Sequence, residues 1–337
     1  MSTPARLSWI DNLRAIGILL VMTGHGHANW RIILWLYTFH APLFFFLSGY
    51  LLSDPARTSP LRWIRHRLPA LGLPYVFLGA MNLLYLHGTG WFHSHSSTTL
   101  MNAFGLHLAG IRDSSPVHGA LWFLASLGAG ELLFLLLARH FPFRVRVALL
   151  LALTVAGGLL LRHRIHLPYS LDISLFCLPF LELGSLYRKY QERIDLRLGD
   201  PRIFGALLVA SVCGGLLLPR VDLYYGKLGN PFLLHAVAAS GILSMLRLAQ
   251  AIPTLRLFDH LGRYSIAYLG LHLNIVFGLI APLTAILHSL APPSIKVPLL
   301  WFLEIAACVA LIGPFSLAVS RWAPVLLGGR KHRETVK

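Results

Sequence analysis

Two residues in the first apolar stretch have the types and spacing for chemistry. They are Arg14 and His25, in Ile10-Asp11-Asn12-Leu13-Arg14 through Thr23-Gly24-His25. Eleven steps of about 100° return to nearly the same helix face, and a rise of about 1.5 Å per residue separates the pair by about 16 Å. A guanidinium grips anionic oxygens through two parallel donors. An imidazole titrates near neutrality and moves protons. Asp11 lies one turn before Arg14 on the same face, placed to hold its guanidinium. Ionisable groups inside a membrane span are costly and mark functional cavities. A snorkelling Arg with a hydrogen-bonded core His fits the pair equally well at this point. The next apolar stretch reads Phe39-His40-Ala41-Pro42-Leu43-Phe44-Phe45-Phe46-Leu47-Ser48-Gly49-Tyr50. If it runs back antiparallel, His40 falls at a depth similar to His25, and Ser48 and Tyr50 lie near the opposite surface.

Composition says what must position these residues. Of 337 residues, 56% are hydrophobic and 12% charged, about half the charge of an ordinary soluble domain, too little to cover soluble surfaces. A span needs about 20 apolar residues, and ten candidates occur, at 11–29, 33–52, 69–87, 119–138, 146–162, 171–188, 203–219, 231–249, 264–286 and 297–320. The first is a retained helix and not a signal peptide: it holds Asp11, Arg14, His25 and His27 and lacks a small-x-small cleavage site. With the N-terminus in the cytoplasm, 21 of the 29 Lys and Arg residues fall on the cytoplasmic side. Seven fall opposite (Arg31, Arg112, Arg162, Arg164, Arg220, Lys227 and Lys296), and Arg14 lies within a span. This positive-inside bias makes the net charge of +16 a topology signal and excludes a nucleic-acid footprint. The expected fold is an all-α integral membrane bundle of about ten transmembrane helices, both termini cytoplasmic. Residues 1–322 form the membrane domain and 323–337 a short basic cytoplasmic tail.

Cys177, Cys213 and Cys308 stand singly in apolar segments and read as small buried hydrophobes, with no disulfide framework or thiolate metal site. His93, His95, His107 and His118 read as solvated loop histidines, and no metal is expected.

The order of motifs resembles the integral-membrane acyltransferase-3 family, in its branch of fucose-4-O-acetylase-like sugar O-acetyltransferases. Arg14-x10-His25 and the run from Phe39 to Tyr50 carry the resemblance. Arg62-x-x-Arg65-x-Arg67-Leu68 before Pro74-Tyr75 extends it, as does Leu121-Trp122-Phe123-Leu124 with Glu131-Leu132-Leu133-Phe134. Gly229-Asn230-Pro231 and Gly262-Arg263-Tyr264-Ser265 with His272 follow, so that it spans about residues 6–320. Ala41 stands where close relatives commonly have Met, and Tyr264 where Asn is common; neither removes a proposed catalytic group.

The resemblance implies an O-acetyltransferase of the cell (inner) membrane. It moves an acyl group, usually acetyl, from acetyl-CoA to a hydroxyl of a cell-surface or exported carbohydrate, polyprenyl-linked forms included. An alcohol needs a positioned base to become a nucleophile, and His25 is assigned that role, with Arg14, Asp11 and His40 as its catalytic companions. Coenzyme A carries phosphates that call for cations. Arg14, Arg62, Arg65 and Arg67, with Ser48 and Tyr50, are the expected donor contacts, plain topology bias being the other reading of the Arg62–Arg67 cluster. Glu131, Glu182 and Glu304 read as internal partners for Arg residues or as acceptors for sugar hydroxyls. The lipid bilayer and the carbohydrate are the expected partners, nucleic acid is not. The alternative function is a polytopic exporter of a lipid-linked glycan; no pair of matching Gly/Pro-interrupted halves, common in transporters, is visible.

Overall fold

The structure, a computed structural model, describes residues 8–52, 54–90, 99–112, 119–253 and 255–329. Among the described residues there are fourteen helices of at least seven residues. They are α1 (Ser8–His25), α2 (Trp30–Leu51), α3 (Pro60–Gly88), α4 (Leu100–Ala109), α5 (Trp122–His140), α6 (Phe143–Arg162) and α7 (Leu171–Lys189). After them come α8 (Gln191–Leu198), α9 (Pro201–Leu217), α10 (Pro231–Ala251), α11 (Arg256–Arg263), α12 (Ser265–Leu271), α13 (Phe277–Leu290) and α14 (Pro293–Trp322). A wider π turn, His272–Val276, links α12 to α13. In hydrocarbon every backbone polar group must be satisfied within the chain, and helices do this segment by segment.

Among the described residues eight helical segments are long and apolar enough to cross a membrane, the stretch from α12 through α13 counting as one; the α8–α9 pair, bent by 86°, would make a ninth. The first helix falls short of the same measure, because Asp11, Asn12, Arg14 and His25 interrupt its apolar run. The fold is the all-α membrane bundle that composition implies. Its outermost helices expose apolar side chains: Leu151, Val155 and Leu159 on α6, Leu279, Leu283 and Ile286 on α13, and Phe302 and Leu311 on α14. In water such faces would be a liability; against lipid tails they are the required surface. Arg14 near the start of α1 and residues 324–329 after α14 line one cavity, so both described chain ends reach the same end of the bundle.

Sequence punctuation accounts for the helix starts. Asn29, Thr99, Asp200 and Asn230 accept backbone N–H bonds at the first turns of α2, α4, α9 and α10. Pro60, Pro201, Pro231 and Pro293 occupy the first helical position, where no N–H is needed. The third helix begins well before residue 69, because Pro60 starts it and Arg62, Arg65 and Arg67 ride on its first turns.

The second helix is the axis of the bundle, packed on α1, α5, α7, α9 and α10. Its crossing with α7 depends on glycine: a Cβ on Gly49 would overlap the Leu181 carbonyl, and one on Gly184 the Phe46 carbonyl. Backbones approach this closely in membranes where small residues face each other. Phe39, Phe45, Phe46, Phe134 and Phe176 fill the core around the crossing. The Asn12 amide donates to the Ala249 and Ile252 carbonyls at 3.1 and 2.9 Å, tying α1 to the end of α10.

Two expectations need correction. Cys177 and Cys308 are buried, but Cys213 is exposed on the outer side of α9. Of the four loop histidines, His93, His95 and His118 lie outside the described residues. His107 is not solvated: it is buried in α4, stacked on Tyr75 at 4.1 Å, because apolar residues before and after it dock that short helix on α3.

Candidate active site

The first helix carries a cavity at each end. At the Arg14 end a cavity of about 390 Å³ is lined by Arg14, Ser48, Arg67, Arg263 and Tyr264, with Ile18, Phe44, Leu47 and Phe123 on its deeper wall. Asp11 approaches Arg14 at 3.5 Å. Arg67 forms a forked pair with buried Glu131, at 2.9 Å from Nε and 2.7 Å from Nη2. Trp63 Nε1 donates to the same carboxylate at 2.9 Å, and so does the Ser48 hydroxyl. The buried carboxylate is thereby satisfied, and the helices α2, α3 and α5 are bolted together beside the cavity. A second recess of about 380 Å³ adjoins it and is lined by Arg65, His66 and Arg67. Arg62 is exposed on α3 outside both. Tyr50 is turned away: its hydroxyl donates to Gln191 at 2.9 Å, and its ring packs on Trp9 and Tyr187.

At the other end, a cavity of about 580 Å³ is lined by His25, His40, Tyr37, Ala41, Trp122, Arg220, Asp222, Tyr224, Tyr225 and Leu273, among others. His25 and His40, on α1 and α2, share this wall. Tyr37 stands edge-on to both imidazoles, with ring centres 6.2 Å from His25 and 4.9 Å from His40. Arg220 sits 5.4 Å over the Tyr37 ring.

The hydrogen bonds of His25 determine which of its nitrogens is basic. His272 Nδ1 lies 2.8 Å from the Tyr268 carbonyl, which only accepts, so this nitrogen carries the proton. In the neutral ring His272 Nε2 is then an acceptor. It lies 2.8 Å from His25 Nδ1, with the rings stacked at 5.0 Å. His25 therefore donates from Nδ1, and its Nε2 keeps the lone pair. His40 is held likewise: Nδ1 donates to the Leu36 carbonyl at 2.8 Å, leaving Nε2 as its acceptor atom. His272 reaches His25 because it opens the π turn; such single-turn widenings re-aim side chains and recur at functional sites.

The turn of α1 that carries His25 is clamped from α14. Glu304, buried, accepts from the His27 backbone N–H at 2.7 Å and pairs with the His27 ring at 2.5 Å. Glu182 pairs with Arg146 at 2.8 and 2.9 Å. Two of the three carboxylates thus partner an arginine and the third a histidine.

The two cavities come close. Ala41 lines one and Phe44 the other, one turn apart on α2; Trp122 and Phe123 divide in the same way on α5. The Phe44 and Phe123 rings meet at 5.6 Å, edge to face.

His272, Tyr37, Arg220 and Asp222 belong to this constellation, but residue spacing did not single them out for it. His272 entered only through the resemblance. Arg220-x-Asp222 is an ordinary loop doublet in sequence, and only the fold brings it over His25. Burial pushes the Asp222 carboxyl above the usual carboxylate range. Among the described residues no group of three His, Cys, Asp or Glu side chains is placed to hold a metal ion.

Residues 7–319 match the model of a protein family described as an acyltransferase domain. No curated protein and no solved structure matches the chain.

Proposed function

Because the chain belongs to the acyltransferase-3 family and is a multi-pass membrane acyltransferase, we propose that it takes acetyl from acetyl-CoA and delivers it to a carbohydrate hydroxyl. The observation that carries this reading is the pair of cavities at the two ends of α1, one cationic and one built around a histidine with a defined basic nitrogen. Acetyl-CoA enters at the Arg14 end, which the basic loops assign to the cytoplasm, so the membrane is the inner membrane of the cell. Arg14, Arg65 and Arg263 offer charge to its phosphates, with Arg67 shared with Glu131. The pantetheine arm runs along α1 past Ile18 and Leu47, and the thioester passes between Phe44 and Phe123. The separation of Arg14 from His25, about 16 Å, suits the reach of that arm.

The acceptor sugar, polyprenyl-linked or free, occupies the larger cavity. His25 Nε2 removes the proton from its hydroxyl as the oxygen attacks the thioester carbonyl carbon. The tetrahedral adduct expels the coenzyme A sulfur, which takes the proton back from the imidazolium. His272 accepts from His25 Nδ1 throughout and stabilises the charged ring in passing. His40 polarises the acyl carbonyl or holds the sugar, and Tyr37, Trp122 and Tyr224 supply ring faces for a pyranose.

The reading is tested in cells lacking the gene, complemented with wild type or His25→Ala at equal protein level, by mass spectrometry of their surface glycans. Acetyl groups restored by wild type and not by His25→Ala support it. Glycans with equal acetylation in all strains refute it.

A further inference from the structure

The His25 cavity does not end at Asp222. Tyr225, which lines it, also forms one wall of an adjoining recess of about 200 Å³, whose other walls are Arg164, His166 and Lys227. Arg220 lines the His25 cavity. The side of the membrane opposite the chain ends holds only seven basic residues by the sequence count. Three of them, Arg164, Arg220 and Lys227, line these two recesses, and a fourth, Arg112, is buried against the wall residues His166 and Tyr224. The positive-inside rule depletes that side of cations, so gathering three of them at one cavity mouth calls for a separate reason.

The local build gives one. Arg112 is spent on structure: it is fully buried, forms a forked pair with Asp172, donates to His166 at 2.7 Å, and lies 5.8 Å over the Tyr224 ring. The other three are exposed to the cavity side, and among the described residues none has a carboxylate within 4.0 Å. Asp222 lines the same cavity as Arg220 and feels the charges of Arg220 and Lys227, but it is not ion-paired with them, and its Oδ1 accepts from the backbone N–H of Tyr224 and Tyr225. Their positions are fixed by backbone. Asp222 and Lys227 exchange N–H bonds of 2.7 and 2.8 Å across a tight hairpin closed by Gly226, which holds Tyr225 and Lys227 on one rim. Arg164 stands opposite at φ 55° in the turn that ends α6. That left-handed position favours glycine or asparagine, and an arginine there is unfavourable for the backbone.

We propose that the acceptor is an anion: Arg164 and Lys227 hold a carboxylate or phosphate carried by the acceptor glycan, with Arg220 as the cation nearest the reacting hydroxyl. The acceptor's identity as such rests on the acyl-transfer reading; the anion site itself does not.

The test uses the full chain in phosphatidylcholine nanodiscs. Binding of glucuronate, glycerol phosphate and glucose is measured by thermal shift and intrinsic fluorescence for wild type and for Arg164→Gln/Lys227→Gln. Both substitutions are at exposed positions, and an unchanged melting temperature without probe verifies folding. We expect one or both anions to bind wild type, glucose to bind far more weakly, and the double variant to lose roughly tenfold or more in anion affinity, as for lost charge-assisted hydrogen bonds. Preference for glucuronate marks a uronic acid, and preference for glycerol phosphate a phosphorylated glycan. Equal binding of glucose, anion binding unaffected in the double variant, or no anion binding overturns the proposal. So does loss of anion binding in phosphatidylglycerol nanodiscs, which would assign the cations to lipid headgroups. Acetyl-CoA turnover by wild type and His25→Ala in the same preparations reports on the reaction separately; absent turnover with intact anion binding would sink the reaction and leave the site.

Discussion

At the residue scale the proposed chemistry turns on one nitrogen. In the proposed reaction His25 Nε2 is the base, since Tyr268 fixes His272 and His272 fixes His25. His272→Ala should lower kcat by about tenfold or more while leaving KM for acetyl-CoA near wild type, since the lost bond orients a proton-transfer group worth about 10²–10⁴-fold. His272→Gln, whose side-chain oxygen can still accept from Nδ1, should recover part of the loss. Equal kcat in His272→Ala and wild type, from single-turnover kinetics, would remove His272 from the mechanism. Arg14 and His25 were legible in sequence because eleven residues is close to three helical turns. The partner was not legible, since His272 reaches His25 only through a wider turn between α12 and α13, and no residue pattern in that apolar run marks where a turn widens.

At the element scale, helix contacts do what the motifs hinted at. The Ser48-Gly49-Tyr50 motif reads as a donor contact, but its glycine is where α2 touches α7 and its tyrosine braces Trp9 and Gln191. Gly49→Val should cost at least about 1–3 kcal/mol through overpacking, seen as a lower melting temperature and poor recovery from detergent. Glu131→Ala strips three buried or half-buried donors of their partner, Ser48, Trp63 and Arg67. Breaking a buried pair in this way costs about 3–5 kcal/mol, so this variant should be less stable than Glu131→Gln in the same thermal assay. Phe44→Trp narrows the contact with Phe123 and should slow acetyl transfer while acetyl-CoA binding, measured by calorimetry, stays close to wild type. The existence and order of the long helices could be read from apolar runs alone. Contacts such as Arg67 with Glu131, 64 residues apart, could not, because partner choice inside a bundle depends on how each helix is rotated.

At the scale of the whole molecule, charge and hydropathy set the frame: an apolar exterior, a basic end, and a polar cavity at each end of α1 with the apolar stretch of residues 15–22 between them. Fusion of a reporter after residue 337 should find that end in the cytoplasm, a reporter active only outside staying silent there. The basic loops made this end conspicuous in sequence. The opposite end was inconspicuous, because its few cations are far apart in the chain and meet only when α6, α9 and α10 bring residues 164, 220 and 227 together.

The central claim is that His25 draws acetyl from coenzyme A through the membrane bundle. The measurement closest to it is transfer of radiolabelled acetyl from acetyl-CoA to an envelope glycan fraction by the purified, reconstituted chain, wild type beside His25→Ala. Wild type should put label in the glycan with stoichiometric release of free coenzyme A, and His25→Ala should show a fall of at least about 10²-fold. Equal labelling by a folded His25→Ala protein would contradict it.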